Sequence, residues 1–375
     1  MKCSGHNALG GPPVEVEFAE TISAVREIPE VGTDTWLAPG FIDLQVNGFA
    51  GVDYNHPETP TEEIARSIRA LFATGVTRFY PTVITGGPHE MRAALRNLAR
   101  ARETLAEGCA IDGFHVEGPH IAPEDGPRGA HPRQWVRPPD FDEFQRWQEA
   151  AGGRVRIVTL APEWPEAPRY IERIAAQGVV AAIGHTAATA AQIAGAVAAG
   201  ATLSTHLGNG AHQMLRRHPN YIWEQLAEDR LMADFIVDGI HLDASFLKTA
   251  IRAKTVERAV LVTDAATPAG AAPGAYKLGE QDVELTAAGR VVLAGTDRLA
   301  GSALRMDRGV ENLVRLAGVT LADAVRMATV NAARAGKVPG RARGLAEGER
   351  ADFVQFRWDA GRVEVTGTWV GGRRV

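Results

Sequence analysis

LAPGFIDLQVNG, residues 37–48, opens on a Pro39-Gly40 turn and then runs apolar into two amides, Gln45 and Asn47. Side chains alternate along a strand, so Asp43, Gln45 and Asn47 share one face. A polar triplet on a strand that looks buried is costly unless something uses it. Seven more strand-like runs follow: VTRFYPTVI (76–84), AIDGFHVE (110–117), VRIVTLAPE (155–163), VVAAIGH (179–185), ATLSTH (201–206), DFIVDGIH (234–241) and AVLVTDA (259–265). Alanine-rich helical stretches separate most of them, several closing on glycine. Strands alternating with helices, eight in number, predict a parallel (β/α)8 TIM-like barrel, because eight is the number that closes.

The flanks have another texture. VEVEFAETISAVREIPE before the barrel and ADFVQFRWDAGRVEVTGTWVGGRRV after it alternate apolar and polar, as short antiparallel strands do. Residues 13–38 and 335–375 are therefore expected to pair into a small β-sandwich domain beside a barrel spanning 39–334. The first dozen residues, rich in Gly, Pro and Asn, are expected to be loosely ordered.

Composition bounds the function classes. The chain has 375 residues, 45% of them hydrophobic and 23% charged, in the range of an ordinary globular protein. Its net charge is -5 with both signs interspersed, which argues against nucleic acid and anionic membrane surfaces as partners. No apolar run approaches the roughly 18–20 residues of a membrane span, and MKCSGHNALGGPP lacks the apolar segment of a signal peptide. With only Cys3 and Cys109 no disulfide framework is expected, and a cytoplasmic location fits.

In such a barrel the chemistry gathers at the C-terminal ends of the strands. The first run ends on Gln45 and Asn47, the third on Glu117, the fifth on His185, the sixth on His206, the seventh on His241 and the eighth on Asp264. One such histidine alone more often serves packing than catalysis, and Asp264 alone could cap a helix with Thr263 and Thr267. Six strands delivering polar groups to one rim are hard to explain by packing. Glu117, His185 and His206 suit a divalent metal of zinc type with a position left for water. Such a site lowers the water's pKa toward about 7, and Asp264 beside it can take the proton and pass it to a leaving group. His115 shares a strand face with Glu117 one layer deeper and is read as supporting or core, and His6, His56 and His89 receive no role.

These residues, with PGFIDLQVNGFAGVD (39–53), GVTRFYPTVIT (75–85), HVEGPHI (115–121), IGHTAA (183–188), THLGNGAH (205–212), DGIHL (238–242), LVTDA (261–265) and LAGSALRMD (299–307), resemble the N-acetylglucosamine-6-phosphate deacetylases of the amidohydrolase superfamily. The resemblance implies hydrolysis of an amino-sugar 6-phosphate's acetamide, with metal on Glu117, His185 and His206 and Asp264 as general base and acid. It implies that His131 polarises the acetyl carbonyl and that Asn209, Gly210, Ala211, His241 and Leu299 line the sugar site. It also implies a homodimer in which Arg217 reaches the phosphate from the partner subunit. A guanidinium in LRRHPN suits that task, although Arg216, Arg217 and His218 also read as a solvated loop.

Three features depart from common patterns, the first from that of many amidohydrolases and the other two from that of the deacetylase family. Gln45 and Asn47 stand where many amidohydrolases carry His-x-His, and amides are poor zinc ligands, so one metal per chain is expected, with Gln45 donating to water or substrate. Zinc is the first expectation, with Fe2+, Mn2+ or Co2+ accepted by the same ligands. His120, where the family commonly has an aromatic residue, and the GNGAH stretch with its extra His212 are expected at the barrel mouth, where they bear on sugar identity. The competing readings are another N-acyl amino sugar, a cyclic amide or deaminase substrate, or a non-catalytic sugar-phosphate binding module.

Overall fold

A computed structural model of the chain describes residues 1–32, 34–341 and 343–375. Eight parallel strands stand side by side in chain order: Phe41–Val46, Val76–Ile84, Phe114–Glu117, Val155–Leu160, Val180–Ile183, Ala201–Ser204, Met232–Ile236 and Ala259–Val262. All eight expected runs are found, several ending a few residues earlier than the apolar pattern does. Gln45 and Glu117 sit at the ends of their strands, whereas Asn47, His185, His206, His241 and Asp264 lie just beyond the ladder at the barrel mouth. A parallel bridge between Val46 and Ala265 joins the first strand to the end of the last, and Asn47 N–H donates to Ala265 O at 2.7 Å.

Two apolar layers hold the barrel. Ile157, Leu203 and Val262 pack together inside it, each two residues before a polar side chain at the mouth, respectively Thr159, Thr205 and Asp264. Outside, strand residues such as Val158, Ile183 and Leu261 pack on helix residues such as Ile171, Ile174 and Ile193. The helices at Ala167–Ala176 and Ala190–Ala198 reach the barrel through this layer, and Thr189 and Gln192 form a capping box at the second.

The N- and C-terminal segments do pair. A seven-stranded sheet runs in the order Arg373–Arg374, Arg362–Val370, Phe353–Asp359, Thr35–Pro39, Lys2–Asn7, Val14–Phe18 and Ile22–Glu27. The first dozen residues are not loosely ordered, contrary to expectation. Lys2–Asn7 is an interior strand, antiparallel to Val14–Phe18 and parallel to Thr35–Pro39, so its backbone groups are used on both sides. Its own composition hid this, since the order comes from pairing with the next strand, Val14–Phe18, and with the more distant Thr35–Pro39.

A second feature was not foreseen. After the eighth strand the chain forms an antiparallel three-stranded sheet, Gly274–Leu278, Gln281–Leu285 and Val291–Leu293. The alternation in AYKLGEQDVEL, with a turn at Gly279, is a strand signal masked by neighbouring alanine and glycine.

The barrel and the terminal sheet are stitched by charge. Asp352, fully buried, accepts Arg78 Nε at 2.8 Å, Arg350 Nε at 2.7 Å and Gly371 N–H at 2.8 Å. Arg78 also reaches Asp112 at 3.0 Å and Pro339 O at 2.9 Å. Asp352→Ala leaves the buried Arg78 guanidinium and the half-buried Arg350 guanidinium without their shared carboxylate, a loss of roughly 3 kcal/mol. A denaturant midpoint unchanged by this substitution would contradict the bridging role.

Candidate active site

The floor of the barrel mouth is built by three atoms. Glu117 Oε1 lies 2.8 Å from His206 Nε2 and 3.1 Å from His185 Nε2, and the two ring nitrogens are 3.1 Å apart. Glu117 ends its strand and points in directly. Strict alternation would aim His185 to the side of Ile183, which packs in the outer layer. A left-handed backbone, φ 51° at His185 and 30° at His206, redirects both rings. Such conformations are costly for residues other than glycine and concentrate at functional sites. Asp264 shares the trait, with φ 49°.

This donor set fits a divalent cation. His185 Nδ1 faces the Pro127 carbonyl at 2.8 Å and must donate to it, which leaves the Nε2 lone pair for the centre. Three ligand atoms on a tetrahedral zinc with bonds near 2.0–2.1 Å would be separated by roughly 3.3 Å, close to the spacing here. His206 Nδ1 is buried with no hydrogen-bond partner among the described residues. Burial opposes charge on His206, yet the hydrogen bond and charge of Glu117, aided by Asp264 and Asp234, push it up to about 9. Burial likewise opposes charge on Glu117, but the two imidazoles hold it well below the usual carboxylate range. The pocket is thus built to attract positive charge.

The polar triplet of the first strand reaches across the barrel seam. Asn47 Nδ2 donates to Asp264 Oδ1 at 2.7 Å and Gln45 Nε2 donates to the same oxygen at 3.1 Å. Asp43 accepts Thr263 Oγ1 at 2.6 Å and Thr263 N–H at 3.2 Å. All three side chains therefore brace the segment that carries Asp264. Gln45, expected to donate to water or substrate, is instead buried behind Asp264 and does not line the cleft, whereas Asn47 does. The Gln45 amide is already committed to the carboxylate. Burial and the charge of Glu117 push Asp264 up to about 6, against the opposing pull of His206, His241 and the Asn47 amide.

A cleft of about 930 Å³ opens above this floor, of the size that holds small ligands. His131 is 3.3 Å from His185 through their Nε2 atoms, and burial followed by the neighbouring imidazole pushes it down to about 3, so its ring is neutral. His241 donates Nδ1–H to Asp238 at 2.6 Å, which fixes the ring and leaves Nε2 for the cleft. Asp238 went unassigned in the sequence, although DGIH carries it three residues before the histidine. Asn209, Gly210, Ala211 and Leu299 also line the cleft. Gly210 has φ 54°, and a Cβ there would stand 2.6 Å from His185 Nδ1, so glycine is required for the ring's seat.

Of the remaining expectations, the one for His120 ends differently. Arg217 is exposed on the loop after the sixth strand and does not line this chain's cleft. His120 is not at the mouth. It is fully buried, 3.2 Å from Arg137 O through Nδ1 and packed against Trp147 and Tyr170, because its strand-end loop turns it toward the helices. His212 does line the cleft, with Nδ1 3.1 Å from the Tyr221 hydroxyl. His115 bonds Leu44 O at 3.1 Å and Thr159 Oγ1 at 2.7 Å, below the site, as a supporting residue should.

Comparison with known proteins agrees with this architecture. Residues 36–375 match the model of the amidohydrolase family. The Bacillus subtilis N-acetylglucosamine-6-phosphate deacetylase is 34% identical over 86% of this chain and 80% of its own length. The Escherichia coli O157:H7 N-acetylgalactosamine-6-phosphate deacetylase is 32% identical over 94% of this chain and 92% of its own. Among solved structures, a mutant N-acetyl-D-glucosamine-6-phosphate deacetylase from Mycobacterium smegmatis, in complex with N-acetyl-D-glucosamine-6-phosphate, superposes with a TM-score of 0.87 at 34% identity, covering 96% of this chain and 94% of its own. The chain belongs to the amidohydrolase family and, within it, to the N-acetylglucosamine-6-phosphate deacetylases.

Proposed function

We propose that the protein hydrolyses the acetamide of N-acetyl-D-glucosamine 6-phosphate to D-glucosamine 6-phosphate and acetate. The observation that carries this reading is the meeting of Glu117, His185 and His206 beside a braced Asp264, on the floor of one cleft. A divalent cation held by those three residues, zinc foremost, would supply Lewis acidity, lowering a water's pKa and polarising a carbonyl. One cation per chain fits, because Gln45 and Asn47 turn their NH2 groups to Asp264 and offer in place of imidazoles only amide oxygens, which are poor ligands for zinc.

The chain's own residues supply the remaining steps. Neutral His131 donates an N–H to the acetyl oxygen and stabilises the charge that develops there. Asp264 takes the proton of the attacking water through Oδ2, the oxygen left free by the two amides. It then delivers that proton to the sugar nitrogen as the C–N bond breaks. His241, held by Asp238, and the Asn209–Ala211 loop position the sugar, and Leu299 closes one side.

The test is acetate release from N-acetylglucosamine 6-phosphate, its unphosphorylated form, and the corresponding galactosamine epimers. The phosphorylated glucosamine derivative is expected to have the highest kcat/KM, and equal rates with and without phosphate would remove the phosphate from the reading. The Escherichia coli relative supports a second reading, preference for the galactosamine epimer, which the same assay separates. We further infer a homodimer with Arg217 directed at the partner's site, in line with that side chain's exposure here. A cytoplasmic enzyme accords with two free cysteines and with the absence, among the described residues, of any helix long and apolar enough to cross a membrane.

A further inference from the structure

A second cavity, of about 480 Å³, lies behind one wall of the cleft. Ile84, Leu278 and Gln281 line both spaces, so these side chains stand between them. Behind them the lining is largely carbon, from Val83, Met91 and Pro132 among others. The hydrolysis itself makes no use of this space. Ile84 ends the second strand, and Leu278 belongs to the three-stranded insert after the eighth. Half-buried Ile84 packs on the insert's apolar cluster, which includes Leu278, Ala266 and Ala300.

The wall is pinned from several sides. Gly279 N–H donates to Asp53 Oδ2 at 2.7 Å, and Glu280 Oε1 accepts Gln134 Nε2 and Trp135 Nε1, both at 2.9 Å. Gln281 Nε2 donates to Ala130 O, next to His131. The three residues after Leu278 are thus tied to the barrel, and Leu278 itself is buried. Its place relative to the reacting carbon follows from strand order. Ile84 pairs with Glu117 in the ladder, so it stands on the second-strand side of the metal floor. The sugar loops, Asn209–Ala211 and His241, follow the sixth and seventh strands on the other side. A planar amide carbon carries its oxygen, nitrogen and acyl carbon in three separate directions. With the oxygen at His131 and the nitrogen toward the sugar loops, the acyl carbon faces Ile84 and Leu278.

We propose that Ile84 and Leu278 fix the length of the acyl group that the enzyme removes, by closing the cleft against the apolar cavity behind it. The proposal rests on the N-acetylated amino-sugar phosphate being the substrate. An acetyl methyl ends against the two side chains, whereas each further methylene must displace them, which a close-packed cluster resists. Trimming either side chain joins the two spaces. A longer chain then gains carbon surface to cover, about fourfold in binding for each buried methylene. The trimmed protein therefore accepts N-acyl amino-sugar phosphates that release propionate or butyrate in place of acetate. Gly86 offers a control, because it lines the rear cavity and not the cleft. A Cβ there meets Met91 Cγ at 3.5 Å and Ile84 O at 3.8 Å, both ordinary contacts, so a larger side chain can fill the space from behind.

The test measures kcat/KM of the metal-loaded protein for the N-acetyl, N-propionyl and N-butyryl derivatives of glucosamine 6-phosphate. Wild type is expected to favour acetyl, with a fall at each added methylene. Ile84→Ala and Leu278→Ala, each alone, should raise the butyryl-to-acetyl ratio about tenfold or more, from two methylenes at about fourfold each. Adding Gly86→Leu to Ile84→Ala should cancel most of that gain, while Gly86→Leu alone keeps the wild-type ratio. A flat acyl series in wild type overturns the wall and needs no variant. Variants that hydrolyse the acetyl substrate with an unchanged ratio overturn it too, and in both cases the proposed function stands. If wild type leaves N-acetylglucosamine 6-phosphate and its galactosamine epimer intact, the proposed function fails and the wall falls with it.

Discussion

Asp264→Asn is expected to lower kcat for acetate release by about 10³-fold, within the range that general acid–base catalysis contributes, with metal content unchanged. The substitution preserves shape and keeps an oxygen for the Gln45 and Asn47 amides, which donate at 3.1 and 2.7 Å. What it removes is the second carboxylate oxygen, replaced by an NH2 that cannot accept a proton. The metal ligands Glu117, His185 and His206 are untouched, so elemental analysis separates a catalytic defect from a lost site. Full turnover in the asparagine variant would sink the mechanism. The pH profile gives an independent check. Burial and the Glu117 charge push Asp264 up to about 6, and a bound cation would draw it back down. The base acts only when ionised, so wild-type kcat must fall as pH drops through that pKa. The asparagine variant has no carboxylate to protonate there, and its residual rate should lack this acid limb.

The second large effect concerns the metal. Dialysis against a chelator is expected to abolish turnover, and about one equivalent of zinc per chain should restore it. Glu117→Gln and His206→Ala should each prevent stable loading, since the first exchanges the anionic ligand for a weak amide and the second removes a ring nitrogen from the three-residue cluster. A readout apart from activity is thermal stability: a cation present at about 1,000 times its dissociation constant stabilises the folded chain by about 4 kcal/mol. Adding zinc to the stripped wild type should therefore raise Tm clearly, and adding it to His206→Ala should not. Two metals per chain by elemental analysis would contradict the assignment of Gln45 and Asn47 as braces for Asp264. Substituting histidine at both positions is the natural way to ask whether a second metal can be admitted.

Much of this site was legible because its residues sit at the ends of regular strands. Glu117, His185, His206, His241 and Asp264 each close a run whose β-branched and aliphatic composition marks a buried strand, and the barrel rule then brings those ends together. Less legible were residues whose role depends on where another part of the chain happens to pass. Asp238 became the orienting carboxylate of His241 only once the loop folded back over three residues. Leu278 belongs to an insert whose alternation was masked by alanine and glycine, and nothing local says that it walls the cleft. His120 was misplaced for the opposite reason: its position after the third strand put it at the mouth, but the loop turned its ring into the layer around Trp147.

The sequence by itself determined the periodicities: eight buried strands, the helices between them, and alternating flanks that pair with each other. Those follow from short-range chemistry, because an apolar stripe of given period must be covered and only a few layer architectures cover it. The tertiary structure decided direction and commitment. Alternation would have turned His185 outward, and a left-handed backbone bends it in. The amides of LAPGFIDLQVNG were free in the sequence to meet water, substrate or metal. Closure of the barrel placed Asp264 against them across a seam 217 and 219 residues long in sequence, and a buried carboxylate took both donors. Hydrogen bonds of that kind are set by which groups burial leaves facing each other, which no local pattern encodes.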